Sequence, residues 1–231
     1  MITGIPTAED FMSRSKSLLN LAWEVTINLE MHHQRAMETY EEEPDAREVW
    51  SKEQIEEQTT RYWELSQPEL RNAQALIHQA VEMGLKGRIC SVSPYLLIAR
   101  DARDYPARGD KQDVLFSHFR TIDASDLLRV ANTVCNGRID NAFENVWSII
   151  REERNANMHS ISNREGLRAT PLLREILLTN EYVLGGTRWM KLRSDHRVLS
   201  HRDTAYDINY YDFSTSDCLH ELSTAVSLLT P

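Results

Sequence analysis

The chain has 231 residues, 41% hydrophobic and 26% charged, which supplies a core without disulfide staples and excludes a collagen-like, low-complexity or cysteine-stapled miniprotein. The formal charge is −9, but residues 38–57 hold nine acids against Arg47 and Lys52, so most of the excess sits in one short stretch. That balance does not exclude nucleic acid, because phosphate is bound by a local patch and not by net charge.

Segments of helical periodicity follow one another along most of the chain. Thr7, with Asp10 three residues on, is expected to cap a first helix that carries Phe11, Leu18, Leu19, Ala22, Ile27 and Leu29 towards Tyr40. Ser51 is expected to cap a second helix running past Trp63, and Pro68 to open a third that Gly84 stops. Ser93-Pro94 reads as a further helix start, and 101–112 as a loop. Asp123 caps a segment with Leu127, Leu128, Val130 and Val134; after Gly137 comes an amphipathic helix with the stripe Ile139, Phe143, Val146, Trp147 and Ile150. A helix from Thr170-Pro171 to about Val183 ends at Gly185-Gly186. From 188 to 211 the apolar period shortens to that of a small β-hairpin insert, and Ser214 or Ser216 then caps a last helix with Leu219, Leu222, Val226 and Leu228. The expectation is a mainly α chain, 1–231, folded as one up-and-down helical bundle, with an N-terminal helical extension over about 1–65 and a β insert around 188–211.

The chemistry-bearing stretch is Arg154-Asn155-Ala156-Asn157-Met158-His159. Counting 100° per residue, Arg154 continues the stripe of Phe143 and Trp147, where an Arg needs a reason. Asn155 and His159 form an i,i+4 pair, so all three converge if the helix ends there or if two copies face each other. Such a set suits RNA cleavage without metal, since the 2′-hydroxyl already lies beside the phosphate and needs only a base. His159 can move the proton, Arg154 can hold the charge building on the non-bridging oxygens, and Asn155 can orient either. No cofactor or metal is required. One His per chain supplies a base or an acid, and a symmetric dimer supplies both. The same spacing class occurs once more, at Arg71 and His78 with Asn72 after the Arg, but inside the third helix.

These residues resemble the HEPN family, whose nuclease members carry Arg, four to six residues, then His, with a polar residue commonly after the Arg. The resemblance implies a helical bundle and a homodimer with two motifs in one groove. It also implies metal-independent endoribonuclease activity, often in toxin–antitoxin or phage-defence systems, with an antitoxin or regulatory protein as partner. The subgroup paired with a nucleotidyltransferase antitoxin has Tyr two positions after the His; here that position is Ile161. The alternative from the same residues is a non-catalytic helical module that dimerises or binds a ligand or RNA.

Elsewhere, 188–202 is the most basic segment. Its Lys191, Arg193, Arg197 and Arg202, with Trp189 for stacking, are expected to track RNA phosphates; a solvated hairpin face is the bland alternative. His32-His33 suggests a metal, but adjacent residues diverge by about 100° and no HExxH follows. Ser216, Asp217 and His220 are read as capping residues, and no glycine-rich phosphate loop is present. Cys90, Cys135 and Cys218 are widely spaced without a CxxC pair, so free thiols and a cytoplasmic location are expected. Glu9, Asp10, Arg14 and Lys16 interrupt the first twenty residues, and no run of about eighteen apolar residues exists, so neither a signal peptide nor a membrane partner is expected.

Overall fold

A computed structural model describes residues 1–42, 50–99, 101–106, 113–159, 166–200 and 210–230. The protein is mainly α. Its helices are α1 (Ala8–Glu42), α2 (Lys52–Leu65), α3 (Gln67–Val92), α4 (Ala124–Val134), α5 (Asn141–His159), α6 (Ala169–Tyr182), α7 (Trp189–Ser200) and α8 (Tyr210–Leu229). Two short strands, β1 (Ile2–Thr3) and β2 (Val114–Leu115), pair in parallel and pin the N-terminus beside the segment before α4.

Local sequence sets the helix starts. The Thr7 hydroxyl accepts from the Asp10 amide while Asp10 accepts from the Thr7 amide at 2.8 Å, a reciprocal cap that opens α1. Ser51 and Gln54 form the same box for α2. Pro68 occupies the first turn of α3, where its missing N–H costs nothing.

The central pair is α1 against α3, running antiparallel: Met12 lies beside Gly87, and the Ser15 hydroxyl donates to the Ala80 carbonyl at 2.6 Å. Leu18, Leu19, Ala22, Trp23 and Ile27 of α1 meet Leu70, Ile77, Val81, Leu85 and Ile89 of α3 in the core. The segment expected as an N-terminal extension is therefore half of the central pair. Gly84 does not stop α3, which continues to Val92. A Cβ at Gly84 would sit 2.5 Å from the Val183 Cγ1 and 3.1 Å from the Ser15 Oγ, so this glycine serves close helix approach.

Onto this pair α5 packs antiparallel to α3, with the predicted stripe buried at Ile139, Phe143, Trp147 and Ile150. Helix α6 runs back beside it, Tyr182 against Phe143 at 5.6 Å. Gly185 and Gly186, both at positive φ, turn the chain into α7. Ser93-Pro94 opens a short 3-10 turn, Pro94–Leu97, and not a longer helix.

The hairpin expected at 188–211 is not formed in its first half: Trp189–Ser200 is α7, and 201–209 lie outside the described residues. Helix α8 begins at Tyr210, so Ser214 and Ser216 are within it and do not start it. The physical reason is the identity of the buried face of α7. Arg193 is 1% exposed, its Nε and Nη2 each 3.1 Å from a carboxylate oxygen of Glu221 on α8, and its Nη1 3.1 Å from the Asn20 Oδ1 on α1. Arg197 reaches Glu221 and Asp217, and Trp23 donates to Glu221 at 2.9 Å. Arginines at i and i+4 thus occupy positions where apolar residues would announce a helix.

Cys90 and Cys218 are buried and Cys135 half-buried, all as free thiols. Among the described residues no helix is long and apolar enough to cross a membrane.

Candidate functional site

The last turns of α5 carry the motif. Helical backbone runs through the motif to His159, which sets Arg154 and His159 about 140° apart around α5; the His159 side chain, and Ser160 and Ile161 beyond it, lie outside the described residues. Arg154 is half-buried and Asn155 exposed, and Arg154 Nη1 donates to Asn155 Oδ1 at 3.2 Å. The guanidinium and the amide are thus held together at the surface. No ion pair joins Arg154 to Glu144 or Glu153 among the described residues.

Two turns earlier, on the same face of α5, Trp147 is buried against α3, where the His78 ring stacks on it with centroids 5.1 Å apart and planes 29° from parallel. Arg151 lies over the indole, its guanidinium carbon 5.9 Å from the ring centroid. His78 Nδ1 faces Glu82 at 3.9 Å, and Glu82 is held by Lys86 at 3.1 Å. Burial lowers the proton affinity of His78, Glu82 opposes that shift, and Arg154 and Arg151 add to it. The second Arg/His pair of the sequence is therefore divided: Arg71 is exposed, and His78 is a buried neighbour of the first.

A carboxyl pair lies at the α3, α5 and α6 junction. Gln74 Nε2 donates to Glu153 Oε2. Across from it Glu175 of α6 is 8% exposed, and its Oε2 is buried without a hydrogen-bond partner among the described residues. Burial, with a smaller contribution from Glu153, pushes its carboxyl up to about 8, so Glu175 is mostly protonated at neutral pH. The signal was present in the sequence: Glu175 falls between Leu172 and Ile176 on the apolar face of its helix.

The basic residues expected to track RNA do not form an open row. Lys191 is exposed but ion-paired to Asp195 at 2.7 Å. Arg193 is buried, which corrects its assignment to a phosphate-facing surface, and Arg197 is mostly covered and held by Asp217 and Glu221. Arg202 lies outside the described residues. His33 packs beside Tyr62 and Trp63 at 5.4 and 5.1 Å, and Asp217 belongs to the Arg197 pair.

Comparison with protein-family models, curated proteins and solved structures gives no match.

Proposed function

We propose that the chain is a metal-independent endoribonuclease of HEPN type, with its site at the C-terminal end of α5. The observation that carries the reading is the Arg154–Asn155 contact one turn before His159, on the last described turns of α5. A guanidinium held on the surface of α5 is suited to gripping a phosphodiester, and the imidazole of a facing second copy would serve the adjacent 2′-hydroxyl. His159 acts as acid or base, Arg154 stabilises the charge that develops on the non-bridging oxygens, and Asn155 holds the Arg154 fork in place. A homodimer with two α5 ends in one groove supplies the second imidazole. The biological setting that goes with this reading is a toxin or phage-defence effector under an antitoxin or regulator.

The test is incubation of the full chain with total RNA in EDTA, beside His159→Ala and Arg154→Ala, with the mass in solution measured by light scattering. Cleavage by wild type alone, from a dimer, supports the proposal. Intact RNA with every variant, or a strict monomer, moves the assignment to a non-catalytic helical module.

A further inference from the structure

A concavity lies between α1 and α7, with a volume of about 420 Å³, and among the described residues none from α5 lines it. From α1 it is lined by Ser13, Lys16, Ser17 and Asn20, and from α7 by Leu192, Asp195 and His196. At 100° per residue the four α1 positions form one stripe. A helix face turned toward a neighbouring helix is ordinarily apolar. Here it presents two hydroxyls, an ammonium and an amide.

The charges in this pocket can be followed one by one. Asp195 is neutralised by Lys191 at 2.7 Å. Arg193, behind the wall, is neutralised by Glu221 at 3.1 Å, and its Nη1 takes the Asn20 oxygen, so Asn20 turns its N–H groups to the α1 side, one donating to the Lys16 carbonyl at 2.9 Å. Lys16 enters no ion pair among the described residues, which leaves one uncompensated positive charge. His196 Nε2 is buried without a hydrogen-bond partner among the described residues. That nitrogen has no accessible surface, so it is the rest of the His196 ring that faces the cavity. Burial and the nearby Arg193 lower the proton affinity of His196, with Glu24 opposing them, so the imidazole faces the cavity as a neutral group.

We propose that this cavity binds a phosphomonoester of mononucleotide size, with the phosphate held by Lys16, Ser13 and Ser17 and the body of the ligand packed against the His196 ring and Leu192. One cation flanked by two hydroxyls a turn apart matches the oxygens of a terminal phosphate. The volume falls within the range of about 300–1,000 Å³ of small-molecule sites and exceeds what a bare phosphate fills. Among the described residues its lining holds no row of open cations, as a polynucleotide backbone requires. The proposal is independent of the ribonuclease reading, because none of its groups lies on α5.

Calorimetric titration of the full chain with AMP, ribose 5-phosphate and adenosine tests it, using wild type, Lys16→Gln, Ser17→Ala and His159→Ala. Both phosphomonoesters are expected to bind wild type with Kd below about 1 mM. Adenosine and the Lys16→Gln variant should each weaken binding about tenfold or more, Ser17→Ala should weaken it less, and His159→Ala should leave it unchanged. Lys16 is a partly exposed side chain, so an unaltered melting temperature of the free Lys16→Gln protein establishes that the loss is not unfolding. No binding of either phosphomonoester at about 10 mM, adenosine binding as tightly as AMP, or full affinity in Lys16→Gln would overturn the proposal. Loss of binding in His159→Ala would place the phosphate at the α5 end and overturn it equally.

Discussion

The imidazole of His78 lies on the indole of Trp147 with ring centroids 5.1 Å apart, tying α3 to α5 two turns before Arg154. The contact makes Trp147 the anchor of the helix end that carries the candidate site. Trp147→Ala is expected to cost ~3–5 kcal/mol in urea unfolding, the range for deleting a buried aromatic. A cost below ~1 kcal/mol would mean that this junction is loosely packed.

His78 also has a pH signature. Its proton affinity is lowered in the folded state, chiefly by burial, so below about pH 6.5 the unfolded chain takes up a proton there more readily than the folded one. The stability contributed by this group is present above that pH and is lost as pH falls through the folded value. Between pH 7 and 5, wild type should therefore lose more stability than His78→Gln. Parallel losses in the two proteins would contradict the assignment.

Glu175 gives the opposite slope. Its carboxyl is raised to about 8 by burial and by Glu153, so between the ordinary carboxylate range and pH 8 the folded state holds a proton that the unfolded state has released. Stability falls as pH rises through that window. Glu175→Gln keeps the shape without the titration, and should gain at least ~1 kcal/mol over wild type at pH 9, about 2–4 °C in Tm for a chain of this size. An unchanged difference between pH 5 and 9 would show that Glu175 is not buried as described.

Gly84 separates local propensity from packing. Alanine is favoured over glycine in a helix by about 1 kcal/mol, yet a Cβ here would meet Val183 at 2.5 Å. Gly84→Ala is expected to destabilise by ~1–3 kcal/mol, the cost of overpacking. A stabilised variant would mean that α6 and α3 part easily.

These two positions show where sequence reading stops. Caps and periodicity are local, so the Thr7 and Ser51 helix starts and the Ile139 to Ile150 stripe are legible in the sequence itself. Gly84 reads as a stop in the sequence because its role lies in Val183, about a hundred residues away. The segment of α7 reads as a hairpin because Arg193 and Arg197 stand on its buried face, a placement that Glu221, Asp217 and Asn20 make tolerable. At the candidate site the Arg154–Asn155 adjacency follows from spacing alone. The approach of His78 to the same helix does not, since α3–α5 packing sets it.

The Arg193–Glu221 pair, 1% and 3% exposed, predicts a strongly asymmetric mutational response. Glu221→Ala leaves the buried Arg193 guanidinium without its carboxylate and the Trp23 indole N–H without its acceptor, Arg197 keeping Asp217, and should cost ~3–5 kcal/mol. The double change Arg193→Met with Glu221→Leu should recover much of that loss in the same thermal melt, because no uncompensated buried charge remains.

The most direct measurement concerns the chemistry at the end of α5. RNA cleaved by the full chain in EDTA should carry 2′,3′-cyclic phosphate or 3′-phosphate ends, and His159→Ala should produce none. Ends bearing 3′-hydroxyls, or equal cleavage by His159→Ala, would contradict a mechanism in which the 2′-hydroxyl attacks under the control of Arg154 and His159.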